Sequence, residues 1–200
     1  MEGSGGSSSW TPANPAPLGL AAFAMTTFVL SMMNANFVSG GDTSVVLGLA
    51  LAYGGITQLL AGMWEFRAGN TFGAVAFSSY GAFWISFWLL LTFNVGSLAN
   101  ADHAISLYLW AWAIFTAYMT IGAIKVSGAV LVVFVLLTAT FIFLAIGFND
   151  LPATGVDTMH KIGGYLGILT AIAAWYASFG AVVNSTFGKV IVPLFPARRQ

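Results

Sequence analysis

Residues Val130–Ala145 read VLVVFVLLTATFIFLA and contain no charged side chain. The hydrocarbon core of a bilayer is about 30 Å thick, and an α-helix needs roughly 20 mostly apolar residues to cross it. A strand of a membrane β-barrel would instead alternate apolar and polar residues over about 10 positions. This run shows no such alternation, so it predicts a transmembrane helix, with the span extending over Ala129–Phe148.

Five further apolar stretches of similar length accompany this one along the 200-residue chain. They are Leu18–Val38, Val45–Phe66, Phe72–Phe93, Ile105–Ile124 and Ile162–Val183. The chain is 58% hydrophobic and only 6% charged, whereas soluble domains carry about 25% charged residues. We therefore predict an all-α fold, an integral membrane bundle of six transmembrane helices.

The two ends of the chain differ in composition from the spans. Residues 1–13 are rich in Ser and Gly and lack the Lys or Arg that begins a signal peptide, so we expect a disordered tail. Residues 194–200 are expected to form a short basic tail, and residues 14–193 the transmembrane domain. The connecting loops are short, so the function must reside among the membrane helices.

Basic residues are distributed unevenly between the two sides of the predicted bundle. Cytoplasmic loops of membrane proteins carry an excess of Lys and Arg. Lys161 lies on one side, and the other side carries Arg67, Lys125, Lys189, Arg198 and Arg199. This asymmetry predicts a multi-pass protein of the cell membrane with both termini in the cytoplasm.

Several function classes are disfavoured by composition. The formal net charge is zero, so no basic surface indicates nucleic-acid binding. The absence of cysteine removes thiol catalysis and most zinc and iron–sulfur sites. His103 and His160 fall in predicted loops without a second metal ligand nearby, and we expect both to be solvated. No catalytic Ser/His/Asp set can be assembled, so we predict no enzyme activity, metal or cofactor.

The second predicted span carries polar and small residues on one face. Gln58, Ala61, Gly62 and Glu65 are spaced at i, i+3, i+4 and i+7. Polar side chains within a membrane usually face a bundle interior or a water path. Gln58 therefore either lines a polar groove or forms a hydrogen bond with a neighbouring helix. Glu65 lies near the end of its span, close to Arg67, and we expect it at a rim.

Two further helix faces combine aromatic and polar residues. Phe23, Thr27, Leu30 and Asn34 share one face of the first span, and Ala76, Tyr80, Trp84 and Phe87 share one face of the third. Such faces indicate either ordinary packing or a pore filter. Pairs of small residues four positions apart, Gly163 with Gly167 and Ala50 with Gly54, favour close helix packing.

Several runs of the chain resemble one family of membrane proteins. The run Asn14–Leu20 (NPAPLGL), followed by Phe23 and the pair Thr26 and Thr27, is similar to the signature of the acetate uptake transporter family, the succinate–acetate permeases. Its second and third helix motifs are similar to three further runs, Tyr53–Gln58 (YGGITQ), Glu65–Gly73 (EFRAGNTFG) and Phe77–Trp84 (FSSYGAFW). The resemblance extends over roughly Asn14 to Pro193. Ala24 departs from the pattern, because members usually carry glycine after the phenylalanine.

The resemblance implies a transport domain over 14–193, with one pore through each protomer of a homohexamer. It implies acetate and related small monocarboxylates as substrates, with succinate as a further candidate. Phe23, Tyr80 and Leu137 match the aromatic, tyrosine and leucine that form the family's narrowest point. A constriction of this kind can gate by dewetting.

Polar side chains near this constriction are candidates for binding a carboxylate. Hydroxyl and amide groups that donate hydrogen bonds are supplied by Thr27, Gln58, Asn70, Thr71 and Tyr80. Asn70 and Thr71 open the third helix, where free N–H groups attract anions, although helix capping explains the pair equally well. Glu65 is the candidate proton site. No Lys or Arg lies in mid-membrane, so we expect weak binding and fast passage, or passage as the neutral acid.

The sequence leaves two other functions open. A urea or short-amide channel is also a small helical oligomer, and it would need matched donors and acceptors without a preference for anions. A membrane sensor of acetate or ammonium is the second alternative, because some relatives are described in such responses.

Overall fold

The computed structural model of the chain describes residues 10–38, 44–93, 101–149 and 158–197. Within these ranges six helices are long and apolar enough to cross a membrane: α1 (Ala16–Asn34), α2 (Ser44–Ala68), α3 (Thr71–Thr92), α4 (Ala101–Ala123), α5 (Gly128–Asn149) and α6 (Thr158–Phe187). The predicted all-helical membrane fold is confirmed. The largest difference is α6, which starts at Thr158 rather than Ile162 and ends at Phe187 rather than Val183.

The six helices close into a ring. Helices that follow one another in the chain pack side by side, and α6 also packs along α1. Between α3 and α4 the contact is made mainly by aromatic side chains: the ring centroid of Phe83 lies 5.1 Å from that of Trp112 and 5.7 Å from that of Tyr108. This side of the ring is therefore closed by side chains rather than by close backbone contact.

Small residues bring α6 close to both of its neighbours. A Cβ atom at Gly163 would lie 3.0 Å from the backbone nitrogen of Leu144 on α5, and one at Gly167 would clash with the Ser31 hydroxyl on α1. The close helix packing that the Gly163/Gly167 spacing predicts is thus present.

The second helix contains a wider, π-helical turn over Ala52–Thr57. Gly54 and Gly55 lie in this turn, and a Cβ atom at Gly55 would lie 2.5 Å from the carbonyl oxygen of Ala50. The turn therefore excludes a larger residue at Gly55. Such π-helical turns are rare and occur frequently at functional sites, and Gln58 follows this one directly.

After α6 the chain folds back across the end of the bundle in a C-terminal segment, residues 188–197. The Asn184 side chain holds this turn: its Nδ2 donates to the Val192 carbonyl at 2.8 Å, and its Oδ1 accepts from the Val192 N–H at 2.9 Å. The carbonyl of Phe195 then accepts a hydrogen bond of 2.7 Å from the Gly128 N–H. The segment therefore satisfies a donor that the start of α5 would otherwise leave without a partner.

Candidate functional site

Two cavities inside the bundle share part of their lining, because Phe23 and Leu137 contact both. The Gln58 cavity, of about 60 Å³, is lined by residues of α1, α2, α3 and α5 and by Val126 of the α4–α5 turn. The Thr27 cavity, of about 300 Å³, is lined by residues of α1, α3, α4, α5 and α6. The two cavities therefore meet at Phe23 and Leu137.

The three residues expected at a constriction lie together at this point. Phe23, Tyr80 and Leu137 are 5%, 3% and 3% exposed. The ring of Tyr80 lies 5.8 Å from that of Phe23 and 6.0 Å from that of Phe134, between centroids. Tyr80 lines the Gln58 cavity, whereas Phe23 and Leu137 separate the two cavities. The barrier of side chains between the two cavities is therefore mainly apolar.

Gln58 and Asn70 bring amide groups to the Gln58 cavity. Gln58 is 1% exposed, and its Oε1 has no hydrogen-bond partner among the described residues. A buried amide oxygen without a partner is costly unless a ligand donates a hydrogen bond to it, which favours a Gln58 that lines a polar groove. Asn70 caps α3, since its Oδ1 accepts from the Gly73 N–H at 3.2 Å.

Glu65 and Thr71 line neither cavity. Glu65 is 1% exposed and lies beneath the surface rather than at a rim, where its Oε2 accepts a hydrogen bond of 2.9 Å from Asn70 Nδ2. Nearby Arg67 instead lies over the ring of Trp10, 5.3 Å from its centroid. Thr71 is exposed at the first position of α3. Glu65 thus contacts residues that line the Gln58 cavity without lining it itself, and Thr71 is not brought to the site.

The predicted face of α1 lines the Thr27 cavity: Phe23, Thr27, Leu30 and Asn34 all contribute to it. The predicted face of α3 is divided, with Ala76 and Tyr80 on the Gln58 cavity and Trp84 and Phe87 on the Thr27 cavity. Thr27 Oγ1 and Trp84 Nε1 are buried and have no hydrogen-bond partner among the described residues. Both groups can donate a hydrogen bond, so they are candidate ligands for a carboxylate oxygen.

His160 does not lie in a loop, as the sequence had suggested, but in the first turn of α6. Its Nε2 lies 3.2 Å from Asn34 Oδ1, and its ring packs against Phe148 with centroids 4.8 Å apart. It lines the Thr27 cavity and is only partly exposed. The expectation for His103 is wrong in its loop placement as well, because that residue lies in α4, although it is exposed.

Sequence reasoning does not single out several polar groups of the Thr27 cavity: the indole N–H of Trp84 and the side chains of Ser31, Asn36, Tyr108, Thr140 and His160. For Trp84 a signal existed, since it lies one turn beyond Tyr80 on the same face of α3. For Tyr108 none existed, because the fourth span showed no face that could be assigned to a pore.

Metal binding finds no support in the described part of the chain, where His, Asp and Glu form no group of three that could hold an ion. The linings of both cavities also contain no Lys or Arg among the described residues. A ligand in either cavity is therefore held by neutral hydrogen-bonding groups, with His160 as the ionisable exception.

Known proteins share this architecture. The chain is 35% identical to the protein in the "Structure of the bacterial acetate channel SatP", with a TM-score of 0.83 over 92% of this chain and 99% of that one. It is 36% identical to the succinate-acetate/proton symporter SatP of Escherichia coli, covering 91% of this chain and 95% of that protein.

A fungal protein is similar along most of this chain as well. Acetate permease A of Emericella nidulans is 40% identical over 195 residues, which cover 91% of this chain but 65% of the fungal protein. The chain therefore spans slightly less than two thirds of that relative. The sequence profile of the GPR1/FUN34/yaaH family matches residues 6–198. On this evidence the chain belongs to the GPR1/FUN34/yaaH family.

Proposed function

We propose that this protein passes acetate and related small monocarboxylates, with succinate as a further candidate, across the cell membrane. The observation that carries the proposal is the pair of cavities meeting at Phe23 and Leu137, with buried, unpartnered polar atoms on both sides. The names of its relatives, an acetate permease and a succinate-acetate/proton symporter, support transport rather than catalysis. Residues 14–193 form the transport domain.

The size of the Gln58 cavity fits a very small substrate. A water-sized group needs roughly 10–15 Å³ of such volume, so the cavity of about 60 Å³ accommodates about four to six non-hydrogen atoms. Acetate, with its two carbon and two oxygen atoms, fits within this range. Larger acids would have to displace side chains, which favours short monocarboxylates.

Polar groups lie in both cavities, so the substrate can bind once on each side of the barrier. Thr27 and Trp84 offer donors in the Thr27 cavity, and Gln58 offers its amide in the other. Between them the substrate crosses Phe23, Tyr80 and Leu137, where an apolar ring excludes water until a substrate enters. Because neutral groups bind a carboxylate weakly, release is fast and transport is not limited by tight binding.

The direct test is uptake of labelled acetate into liposomes that contain the purified protein. We expect uptake well above that of protein-free liposomes, and Gln58→Leu should reduce it because the buried amide is lost while the side-chain size is nearly kept. Labelled urea is the comparison: urea uptake that exceeds acetate uptake would assign the protein to the amide channels instead. Leu107→Ala, at a lipid-facing side chain that is 72% exposed, serves as the control variant.

The orientation we propose places both termini in the cytoplasm. Supporting this, Asn70 and Val126 line the same cavity, so the basic residues near them, Arg67 and Lys125, lie at one end of the bundle. Lys161 follows His160, which lines the other cavity. The positive-inside rule then assigns the Gln58 cavity to the cytoplasmic side.

We also propose a homo-oligomer, most simply the hexamer that the family resemblance implies. The glycines Gly163 and Gly167 are used within the protomer, so a different surface is needed between protomers. Gly48 and Ala52 on α2 are exposed four positions apart, and a Cβ atom at Gly48 would meet nothing within 4 Å. Such spacing lets a second helix approach closely. Native mass spectrometry in mild detergent tests the assembly, and a monomer there would count against it.

A further inference from the structure

The hydroxyl of Tyr80 forms a hydrogen bond with Thr116, a residue to which the proposed function gives no role. Tyr80 Oη lies 2.9 Å from Oγ1 of Thr116 on α4. Thr116 is fully buried, and its Oγ1 also lies 2.7 Å from the carbonyl oxygen of Trp112, one turn earlier in the same helix. Three oxygen atoms thus form a short chain that ends at the constriction.

The number of hydroxyl protons determines which oxygen donates in each of these two hydrogen bonds. A carbonyl oxygen only accepts, so the hydrogen bond to Trp112 uses the single hydroxyl proton of Thr116. The bond between Thr116 and Tyr80 must then use the proton of Tyr80. The reverse assignment, in which Thr116 donates to Tyr80, makes one of these two bonds instead of both. In a site that excludes water, the arrangement with both bonds is the more stable.

We infer that Thr116 is a positioning residue that withholds the Tyr80 proton from the pore, so that the constriction accepts a hydrogen bond but does not donate one. The inference rests on the proposed function, and it names the form of the substrate that crosses. A carboxylate anion only accepts hydrogen bonds and finds no donor at the barrier. The neutral acid carries a hydroxyl proton and can donate it to the remaining lone pair of Tyr80 Oη.

The surroundings of Tyr80 offer the anion no other compensation. The aromatic side chains packed on its ring are Phe23, Trp112, Phe115 and Phe134, and none of them carries a charge. An anion at this point would lose its hydration without gaining a partner, which is costly in an apolar environment. The barrier therefore selects the neutral acid through hydrogen-bond direction as well as through burial.

The test is Thr116→Val, which keeps the shape of the side chain but removes its hydroxyl. Tyr80 then has no acceptor on α4, and its proton becomes available to a substrate anion. Uptake of labelled acetate is measured in proteoliposomes at pH 7, with and without an inside-positive potassium diffusion potential. A potential of about 60 mV changes the equilibrium distribution of one elementary charge about tenfold, whereas the neutral acid does not respond to it.

We expect wild-type uptake to be insensitive to the potential and Thr116→Val uptake to rise several-fold with it. Thr116→Ser, which keeps the hydroxyl, should restore the wild-type insensitivity. In the double variant Thr116→Val/Tyr80→Phe the sensitivity should disappear, because the released proton is gone. Thr120→Val is the matched control, since that hydroxyl lies one turn further along α4 and bonds to Thr138 and to the carbonyl oxygens of Thr116 and Phe134 rather than to Tyr80.

The possible outcomes separate this inference from the proposed function. Wild-type protein that takes up no acetate would overturn the proposed function itself. Wild-type uptake that responds to the potential as strongly as Thr116→Val would leave acetate transport intact and overturn the role of Thr116. Equal gains in Thr116→Val and Thr120→Val would also overturn it, because a loosened α4 would then explain the effect.

Discussion

The ring centroids of Phe23 on α1 and Tyr80 on α3 lie 5.8 Å apart, with the ring planes inclined by 50°. The two rings are therefore tilted against each other rather than stacked. Leu137 on α5 contacts both cavities and lies at the same level. Three helices therefore each supply one bulky apolar group to the barrier.

Removing one of these groups should widen the range of acids that pass. We expect Leu137→Ala to raise uptake of propionate and butyrate relative to acetate, because the barrier loses most of one side chain. A single methylene group in an apolar site is commonly worth about tenfold or more in discrimination, so a change of that order is expected. Competition of each unlabelled acid against labelled acetate measures it.

Leu107→Ala makes the same chemical change on the lipid-facing side of α4, where Leu107 is 72% exposed. It should leave the acid selectivity unchanged. Phe23→Ala and Tyr80→Ala test the other two sides of the barrier. Unchanged size selection in all three barrier variants, with normal gel-filtration profiles, would disprove the assignment.

Glu65 is expected to support the structure rather than to relay protons. Its buried carboxyl accepts from Asn70 Nδ2, and a glutamine at this position can still accept that hydrogen bond through its carbonyl oxygen. Small carboxylic acids titrate near the value of about 4.3 of a glutamate side chain, so between pH 5 and 7 their neutral fraction falls nearly tenfold per pH unit. We therefore predict that Glu65→Gln keeps the acid stimulation of acetate uptake.

Uptake across pH 5 to 7 in wild type and Glu65→Gln measures this prediction. Glu65→Ala is the informative companion, because it removes the acceptor and should weaken the α2–α3 turn. If Glu65→Gln folds and conducts but loses its pH dependence, Glu65 is the coupling residue and the substrate does not account for the effect.

The proposed orientation predicts which side of the membrane each basic residue faces. The chain has no cysteine, so single introduced cysteines can be labelled without background. In intact cells an impermeant maleimide should label Lys161→Cys, and Lys189→Cys should react only after the membrane is opened. Labelling of Lys189→Cys from outside would reverse the orientation and the assignment of the two cavities.

The C-terminal segment should loosen when Asn184 is shortened. Asn184→Ala removes three hydrogen bonds to residues 191 and 192, each worth about 1 kcal/mol. We predict faster hydrogen exchange at Gly128, whose N–H is covered by Phe195, with α1 unchanged as the internal control. Asn184→Asp keeps the oxygen that accepts two of these bonds and should show a smaller effect. Equal exchange at Gly128 in all three proteins would contradict the prediction.

Much of the fold was predictable because membrane spans are long and continuously apolar. The faces of α1 and α3 that line the two cavities were also predictable, since aromatic and polar residues there recur with helical spacing. Leu137 could be singled out only through the family resemblance: α5 is apolar on all sides, so periodicity selects no face. Hydropathy predicts a loop at His160, because the end of a helix is set by capping and packing rather than by hydropathy.

The contact between Tyr80 and Thr116 lay beyond sequence reasoning for a different reason. The two residues are 36 positions apart on helices whose relative rotation is set by packing. Thr116 also satisfies its own carbonyl neighbour one turn earlier, so in the sequence it is one more threonine inside a helix. Its proposed role depends on Tyr80 Oη, which only the folded bundle brings within hydrogen-bonding distance.

The π-helical turn over Ala52–Thr57 has a consequence for insertions and deletions in this chain. Such a turn amounts to one extra residue accommodated within an α-helix. A deletion of one residue inside it can be absorbed by a return to ordinary α-helical winding, so the flanking stretches Ser44–Leu51 and Gln58–Ala68 keep their orientations. The same deletion a few positions later would rotate Glu65 out of the interior. Among related chains, a one-residue gap is therefore expected to be tolerated at this turn and nowhere else in α2.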